Sequence, residues 1–341
     1  MLEERSEKRV IRPQESPTGQ LPPVMGGKGD AVRSSIKDLE RHGIIEEGRA
    51  LTNVPSLRKN IGVVVRQGGR HKLEGTECED AILVRQDVTL GNKRKYDLLA
   101  VFDGLGGRAN SAEASLKSAE FLDAFIREKA SGYRDPKSLI VDALGWANDE
   151  LRKYYKKAHG WKPPDELSEE EQLDMLIEGV KDSKKAHEIS KGPASTVTVA
   201  LVGDDLAVGS IGDSRAYVFR NKIEGRLLAD DQKVTFGENV LGNAPKKINI
   251  PSRVKVVDGF DPKTDSIALM SDGVSRALSD MFLKKSRIVL STYLRKMIEE
   301  KGVHDPQTIA VNLVLGIEKE RQRRDHYGDD MSLIMRLPET G

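Results

Sequence analysis

From residue 61 onward the chain breaks into short apolar runs of strand length, at 61–66, 81–85, 96–102, 196–202, 206–211, 215–220, 253–257, 266–270 and 331–336. Runs of four to eight residues rich in Val, Ile, Leu and aromatics, bounded by Gly, Asp and Ser, read as strands. The run Tyr96-Asp-Leu-Leu-Ala-Val-Phe102 is nearly continuous in apolar character, as expected of a strand covered on both faces. Gly203-Asp204-Asp205 and Gly212-Asp213-Ser214 supply turns, so the runs at 196–202, 206–211 and 215–220 read as an antiparallel meander.

Between these groups the spacing changes to that of helices. Asn110 or Ser111 caps a stretch in which Leu116, Ala119, Leu122, Phe125 and Ile126 share one stripe, and Asp135-Pro136 opens a second with Leu139, Ile140, Ala143, Leu144, Ala147 and Leu151 inward. Further helices are expected at about 279–300 and from Asp305-Pro306 to about 324. Strands in groups and helices in pairs favour an α+β architecture: a four-layer α-β-β-α sandwich of two mainly antiparallel sheets flanked by helix pairs.

Two segments stand outside this texture. Residues 1–60 carry Pro13, Pro17, Pro22, Pro23, Gly26, Gly27 and Gly29 among mixed charges, which reads as a largely disordered tail ahead of a domain spanning 61–341. Within the tail Ser35 caps a short helix and Ile44-Ile45 is able to dock on the body or on a partner, although composition favours a solvated arm. Residues 161–191 are polar, with Pro163-Pro164 followed by the capping-box pattern Ser168-Glu-Glu-Glu171, and read as a helical surface insertion.

Composition narrows the function classes. Lys+Arg 55 against Asp+Glu 54 gives a net charge of +1, so no global field points to nucleic acid or to an anionic membrane. No stretch approaches the roughly 20 apolar residues of a spanning helix, and a cytoplasmic protein is expected. The single cysteine, Cys78, excludes an internal disulfide framework and a Cys-rich zinc site, and reads as a small half-buried strand residue.

The chemistry lies in acids at strand ends: Glu79-Asp80, Asp103-Gly104-Leu105-Gly106-Gly107, Asp272-Gly273 and Asp329-Asp330. Carboxylates delivered to one point from several strands repel one another unless cations or protons hold them, and all-oxygen donors favour magnesium or manganese. The pattern reads as a two-metal hydrolase acting on phosphate. Taken singly, each acid is equally an ordinary solvated turn.

The acids, in this order and joined by Ala194-Ser195-Thr196 and Gly212-Asp213-Ser214-Arg215-Ala216-Tyr217, resemble the motifs of the metal-dependent Ser/Thr protein phosphatases of the 2C type, over nearly all of 61–337. The resemblance implies two Mg2+ or Mn2+ ions, with Asp103 bridging them and the Gly104 carbonyl on one. It implies further that Asp272 and Asp329 hold the other ion, and that Glu79 and Asp80 act mainly through bound water. Arg70 is the candidate phosphate-binding arginine, with Arg66 as a rival because Arg70 stands farther from Glu79 than is usual in the family. Asp213 and Arg215 are expected as a structural pair. The implied reaction is hydrolysis of phosphoserine and phosphothreonine in proteins by a metal-activated water, with a phosphorylated protein as substrate and a sensor or kinase as partner. A non-catalytic phosphoprotein-binding regulator on the same fold and a small-phosphate or nucleotide phosphoesterase are the alternatives.

Some positions depart from the family pattern. Leu105 stands where many eukaryotic members place a histidine, and Glu188 and Lys191 are the nearest positions to the aspartate that serves a third ion. Asp230-Asp231-Gln232 and a short connection to Leu241-Gly242 point to a reduced flap, and Asp330 replaces an asparagine, adding charge that would raise metal demand. Arg321, Arg323, Arg324 and His326 read as the cationic end of a helix rather than a substrate guide, and the dispersed histidines carry no assigned role.

Overall fold

The computed structural model describes residues 35–105, 110–161, 166–171, 173, 177, 193–220, 224–227, 240–241, 249–282, 286–324 and 328–338. In chain order these form α1 (Ile36–Arg41), β1 (Ala50–Thr52), β2 (Ile61–Arg66), α2 (Gly69–Glu74), β3 (Asp80–Thr89) and β4 (Lys95–Asp103). There follow α3 (Ser111–Lys129), α4 (Pro136–His159), β5 (Val197–Val202), β6 (Leu206–Ile211), β7 (Arg215–Arg220), β8 (Glu224–Leu227), β9 (Val254–Val256) and β10 (Ser266–Met270). The last elements are α5 (Asp272–Phe282), α6 (Ser286–Arg295), a π turn at Lys296–Glu300, α7 (Pro306–Arg323) and β11 (Met331–Arg336).

The strands make two sheets, one ordered β1-β3-β4-β5-β6-β9 and the other β2-β11-β10-β7-β8. All pairings are antiparallel except β1 with β3. Strand parity sorts the core. Leu99 and Val101 of β4, Ala200 of β5, Ile267 and Leu269 of β10 and Ile334 of β11 meet in one apolar layer between the sheets. The alternate residues Leu98, Ala100 and Phe102 of β4 pack outward under α3 and α4, while Ala268, Met270, Leu333 and Met335 pack under α5, α6 and α7. Both faces of each sheet are apolar, so each central strand reads as a continuous run, and the four-layer sandwich expected from the sequence is the architecture observed.

Helix starts follow the cap chemistry. The Asp135 carboxylate accepts from the Lys137 and Ser138 backbone N–H groups at 3.3 and 2.9 Å, and Asp305 accepts from Thr308 N–H at 2.8 Å. Ser168 and Glu171 form the reciprocal capping box, each side chain accepting from the other's N–H at 3.2 and 2.8 Å. Residues 162–165, 172, 174–176 and 178–191 of the expected insertion, and residues 1–34 of the expected tail, lie outside the described residues.

The meander does not extend to its third strand. β6 pairs with β5 and β9, whereas β7 pairs with β10 and β8 in the other sheet. Gly212 makes this crossing: its φ is +108°, and a Cβ there would lie 2.5 Å from the Thr196 Cβ. Because the chain changes sheet at this turn, Asp213 comes to the edge of the cleft between the sheets.

The tail expectation also fails for residues 35–60. Ile36, Leu39, Ile45 and Leu57 are buried in the inter-sheet layer, and β1 extends the first sheet beside β3. Arg49 is buried and satisfied, donating to Asp80 O at 2.7 Å, Ala112 O at 2.9 Å and Ser115 Oγ at 2.7 Å. A segment whose overall composition looks solvated docks through a few apolar residues and one fully paired guanidinium. The helix expected to begin near 279 begins instead at Asp272, where Val274 and Ser275 N–H groups reach back to Ser271 O. Among the described residues, no helix is long and apolar enough to cross a membrane.

Candidate metal centre

A strand end, a turn and a helix start bring Asp103, Asp213 and Asp272 together at one edge of the sandwich, with one carboxylate oxygen of each within 4.8 Å of the others. Each arrives by a different route. Asp103 ends β4, and its carbonyl accepts from Thr196 N–H at 2.8 Å. Thr196 Oγ1 in turn hydrogen-bonds Ser214 Oγ at 2.7 Å, tying the sheet-changing turn that carries Asp213 to the same point. Asp272 stands in the first turn of α5, directly after β10. All three side chains are partly exposed, so an ion can reach them from solvent.

Asp80 faces Asp103 as its cross-strand partner between β3 and β4. Its Oδ2 is buried with no hydrogen-bond partner among the described residues. Burial, then the nearby Asp330 charge, holds its carboxyl well above the usual range; the Ser271 and Ser332 hydroxyls pull the other way without forming a hydrogen bond to Oδ2. Asp103 is likewise raised by burial and by Asp80, Asp272, Asp213 and Asp329. Asp272 is pushed up to about 6 by burial and by Asp213, and Glu79 to about 7 by burial with Asp330 and Asp329 behind it. Clustered carboxylates raised this way carry more negative charge than the nearby arginines offset. An all-oxygen set with an orphaned buried oxygen fits a hard divalent cation.

Asp329 lies beside this group rather than within it. It raises the carboxyls of both Asp103 and Asp272, and its Oδ1 is 3.9 Å from Arg70 Nη2. The adjacent loops touch: a Cβ on Gly273 would lie 1.8 Å from Asp330 O, so only glycine lets the Asp272 turn approach this closely. Arg321 bridges the two loops, donating to Gly273 O at 2.9 Å and Asp329 O at 3.2 Å. Arg323 and Arg324 pair with Glu320; His326 lies outside the described residues.

Of the two candidate phosphate arginines, Arg66 is engaged elsewhere, by Glu318 Oε1 at 2.6 Å and by Gly43 O. Arg70 is exposed at the start of α2 and reaches the site. The Gly104 N–H donates to Glu79 O at 3.0 Å, which holds the Glu79 backbone against the end of β4. Gly106, Gly107, Glu188, Lys191, Gly242 and Asp230-Asp231-Gln232 lie outside the described residues, and with them the glycine-rich turn, the third-ion positions and the reduced flap.

Four features escaped sequence reading. Asp213 joins the carboxylate group, and its ion pair is with Arg276, with none to Arg215 among the described residues; the signal was present, since Asp213 is an acid at a strand end like the others. Arg276 stands four residues after Asp272 on one helix face and pairs with it at 2.9 Å. Asp330 is held by three donors, accepting from Gly68 N–H at 2.6 Å, from Glu79 N–H and from His71 Nδ1 at 2.9 Å. The charge of Asp330 is met by His71 and two backbone donors. His71, buried on α2, uses its other nitrogen to accept from Arg70 Nη2 at 2.9 Å. That second contact needs the neutral ring, while the Asp330 hydrogen bond raises the His71 pKa.

Solved structures with this fold include serine/threonine phosphatase Stp1 from Staphylococcus aureus (18% identity, TM-score 0.51, 83% of this chain and 96% of that one). PppA, a key regulatory component of T6SS in Pseudomonas aeruginosa, is also similar (17%, 0.53, 81% and 96%). So is the catalytic domain of the serine/threonine protein phosphatase PstP, in complex with two manganese ions (18%, 0.50, 82% and 98%). No curated protein matches the sequence. The family model described as Protein phosphatase 2C matches residues 67–306. That span carries most of the carboxylates gathered at the sheet edge, and the chain belongs to the protein phosphatase 2C family.

Proposed function

We propose that this chain hydrolyses phosphoserine and phosphothreonine in proteins in a reaction that depends on magnesium or manganese. The observation that carries the reading is the meeting of Asp103, Asp213 and Asp272 from a strand end, a turn and a helix start at one sheet edge. These three would hold the ions, with Asp80, Glu79 and Asp329 around them; the two manganese ions of PstP, a chain of similar fold, support a two-ion reading. Bound there, divalent cations supply a nucleophile at neutral pH and offset charge on the phosphoryl group.

The chain's own residues do the rest. Arg70 presents a planar guanidinium at the exposed rim, suited to two phosphoryl oxygens of an incoming phosphoresidue. His71 holds that guanidinium through Nε2, and Asp330 fixes the ring proton on Nδ1, so the arginine is aimed before substrate arrives. Asp80 and Asp103 are set by β-sheet register rather than by loops, which keeps their carboxylates in place through the reaction. A cytoplasmic setting, with phosphoproteins as partners, is in keeping with the single cysteine.

The test is phosphate release from phosphoserine and phosphothreonine peptides with manganese, for wild type and Asp103→Asn. The reading expects manganese-dependent release that the variant loses. Inert wild type at excess metal would support a phosphoprotein-binding regulator instead, and a strong preference for nucleotides over phosphopeptides would support a small-phosphate esterase.

A further inference from the structure

The carboxylate group already has one cation beside it, and it belongs to the chain. Arg276, on the second turn of α5, places Nη1 2.9 Å from Asp272 Oδ2 and pairs through Nη2 with Asp213 Oδ2. Two of the three acids that converge at the candidate centre are thus spanned by a single guanidinium. Its side chain is 61% exposed, against 13% for Asp272 and 16% for Asp213. The arginine lies over the acids from the solvent side, and its long stem can swing away without disturbing the core.

We propose that Arg276 is a tethered counter-ion that competes with divalent metal for Asp213 and Asp272, holding the acids together in the metal-free chain and setting the metal concentration at which the site fills. The inference rests on the reading of this site as a metal centre. A guanidinium offers only donors and cannot share a carboxylate lone pair with an entering ion. The Oδ2 lone pairs it holds on Asp213 and Asp272 are lost to an entering ion and its charge repels that ion, so metal entry works against one or both ion pairs, and the loss is subtracted from metal affinity. Exposed pairs of this kind are weak, so the expected penalty is about 3- to 10-fold in affinity. The same contact limits repulsion among the acids when metal is scarce, so the fold tolerates the empty state.

The experiment is manganese titration by calorimetry, with thermal melting in EDTA, on the full chain as wild type, Arg276→Gln and Arg276→Lys. The expected result is manganese binding about 3- to 10-fold tighter in Arg276→Gln, together with a lower melting temperature in EDTA and equal melting temperatures at saturating manganese. Arg276→Lys, which keeps the charge but cannot span both carboxylates, should fall between. Unchanged manganese affinity in Arg276→Gln with normal wild-type binding would overturn the proposal and leave the metal centre standing. Weaker binding in Arg276→Gln would also overturn it, since the arginine would then support the loaded site. Absence of manganese uptake in wild type would overturn both.

Discussion

Asp80 and Asp103 are direct cross-strand partners at the ends of β3 and β4, two carboxylates held side by side by sheet register. Like charges directly opposite one another destabilise a sheet, and here Asp272, Asp213, Glu79 and Asp329 add to the repulsion. A fold that assembles such a group stores repulsion which cations or protons must relieve.

The first consequence is a pH dependence with a definite sign. Carboxyls raised to about 6 at Asp272 and about 7 at Glu79, with Asp103 and Asp80 also raised, keep protons in the folded chain that the unfolded chain releases near its ordinary values. The folded state binds more protons in that window, so stability is fully present below about pH 4 and is lost as pH rises toward about 7. Each retained proton contributes up to about 1.4 kcal/mol per pH unit. Thermal melts in EDTA should fall between pH 5 and 7.5, and saturating manganese should flatten or reverse the slope. An EDTA profile that rises over this range would contradict the carboxylate assignment.

Gly273→Ala should be severe. The added Cβ would meet Asp330 O at 1.8 Å, and Arg321 pins the two loops through Gly273 O and Asp329 O. Forcing the loops apart should cost about 1–3 kcal/mol and weaken manganese binding about tenfold or more, read by urea unfolding and calorimetry. A variant with wild-type affinity would show that the two loops need not touch.

His71→Ala removes the ring that links Asp330 to Arg70. Losing one oriented hydrogen bond is worth about 0.5–1.5 kcal/mol, so KM for phosphopeptides should rise about 3- to 10-fold with a smaller change in kcat. A fall in kcat alone would place His71 in the chemistry rather than in aiming the arginine.

Arg49→Ala tests whether residues 35–60 belong to the folded body. The change removes the guanidinium donors to Asp80 O, Ala112 O and Ser115 Oγ, leaving Ser115 Oγ on Ala112 O and Cys78 Sγ on Asp80 O. Hydrogen bonds from a charged group are worth about 1.5–3 kcal/mol each, and an unfolding free energy lower by about 3 kcal/mol or more is expected from urea denaturation. Because one of the bonds ends on Asp80, manganese affinity should fall as well.

Much of this was legible before any coordinates. Period and composition place β2, β6, β7, β10 and β11 at their observed bounds, and Asp135-Pro136 and Asp305-Pro306 mark helix starts, because these are local effects. What sequence could not show is long range. The departure of β7 to the other sheet turns on Gly212 meeting Thr196 across the fold. The docking of residues 35–60 depends on one arginine finding three acceptors up to 66 positions away. Asp213 was read as a support because its partner was sought two residues on, at Arg215, while the ion pair forms with Arg276 across the cleft edge. The resemblance named Asp103 and Asp272, and the geometry sets Asp213 beside them.

The most direct measurement is an anomalous difference map from crystals soaked in manganese. The account predicts manganese peaks bounded by the carboxylates of Asp103, Asp213 and Asp272, with Asp80 and Asp329 flanking them. Manganese absent from that sheet edge at saturating concentration, or bound only elsewhere on the surface, would contradict it.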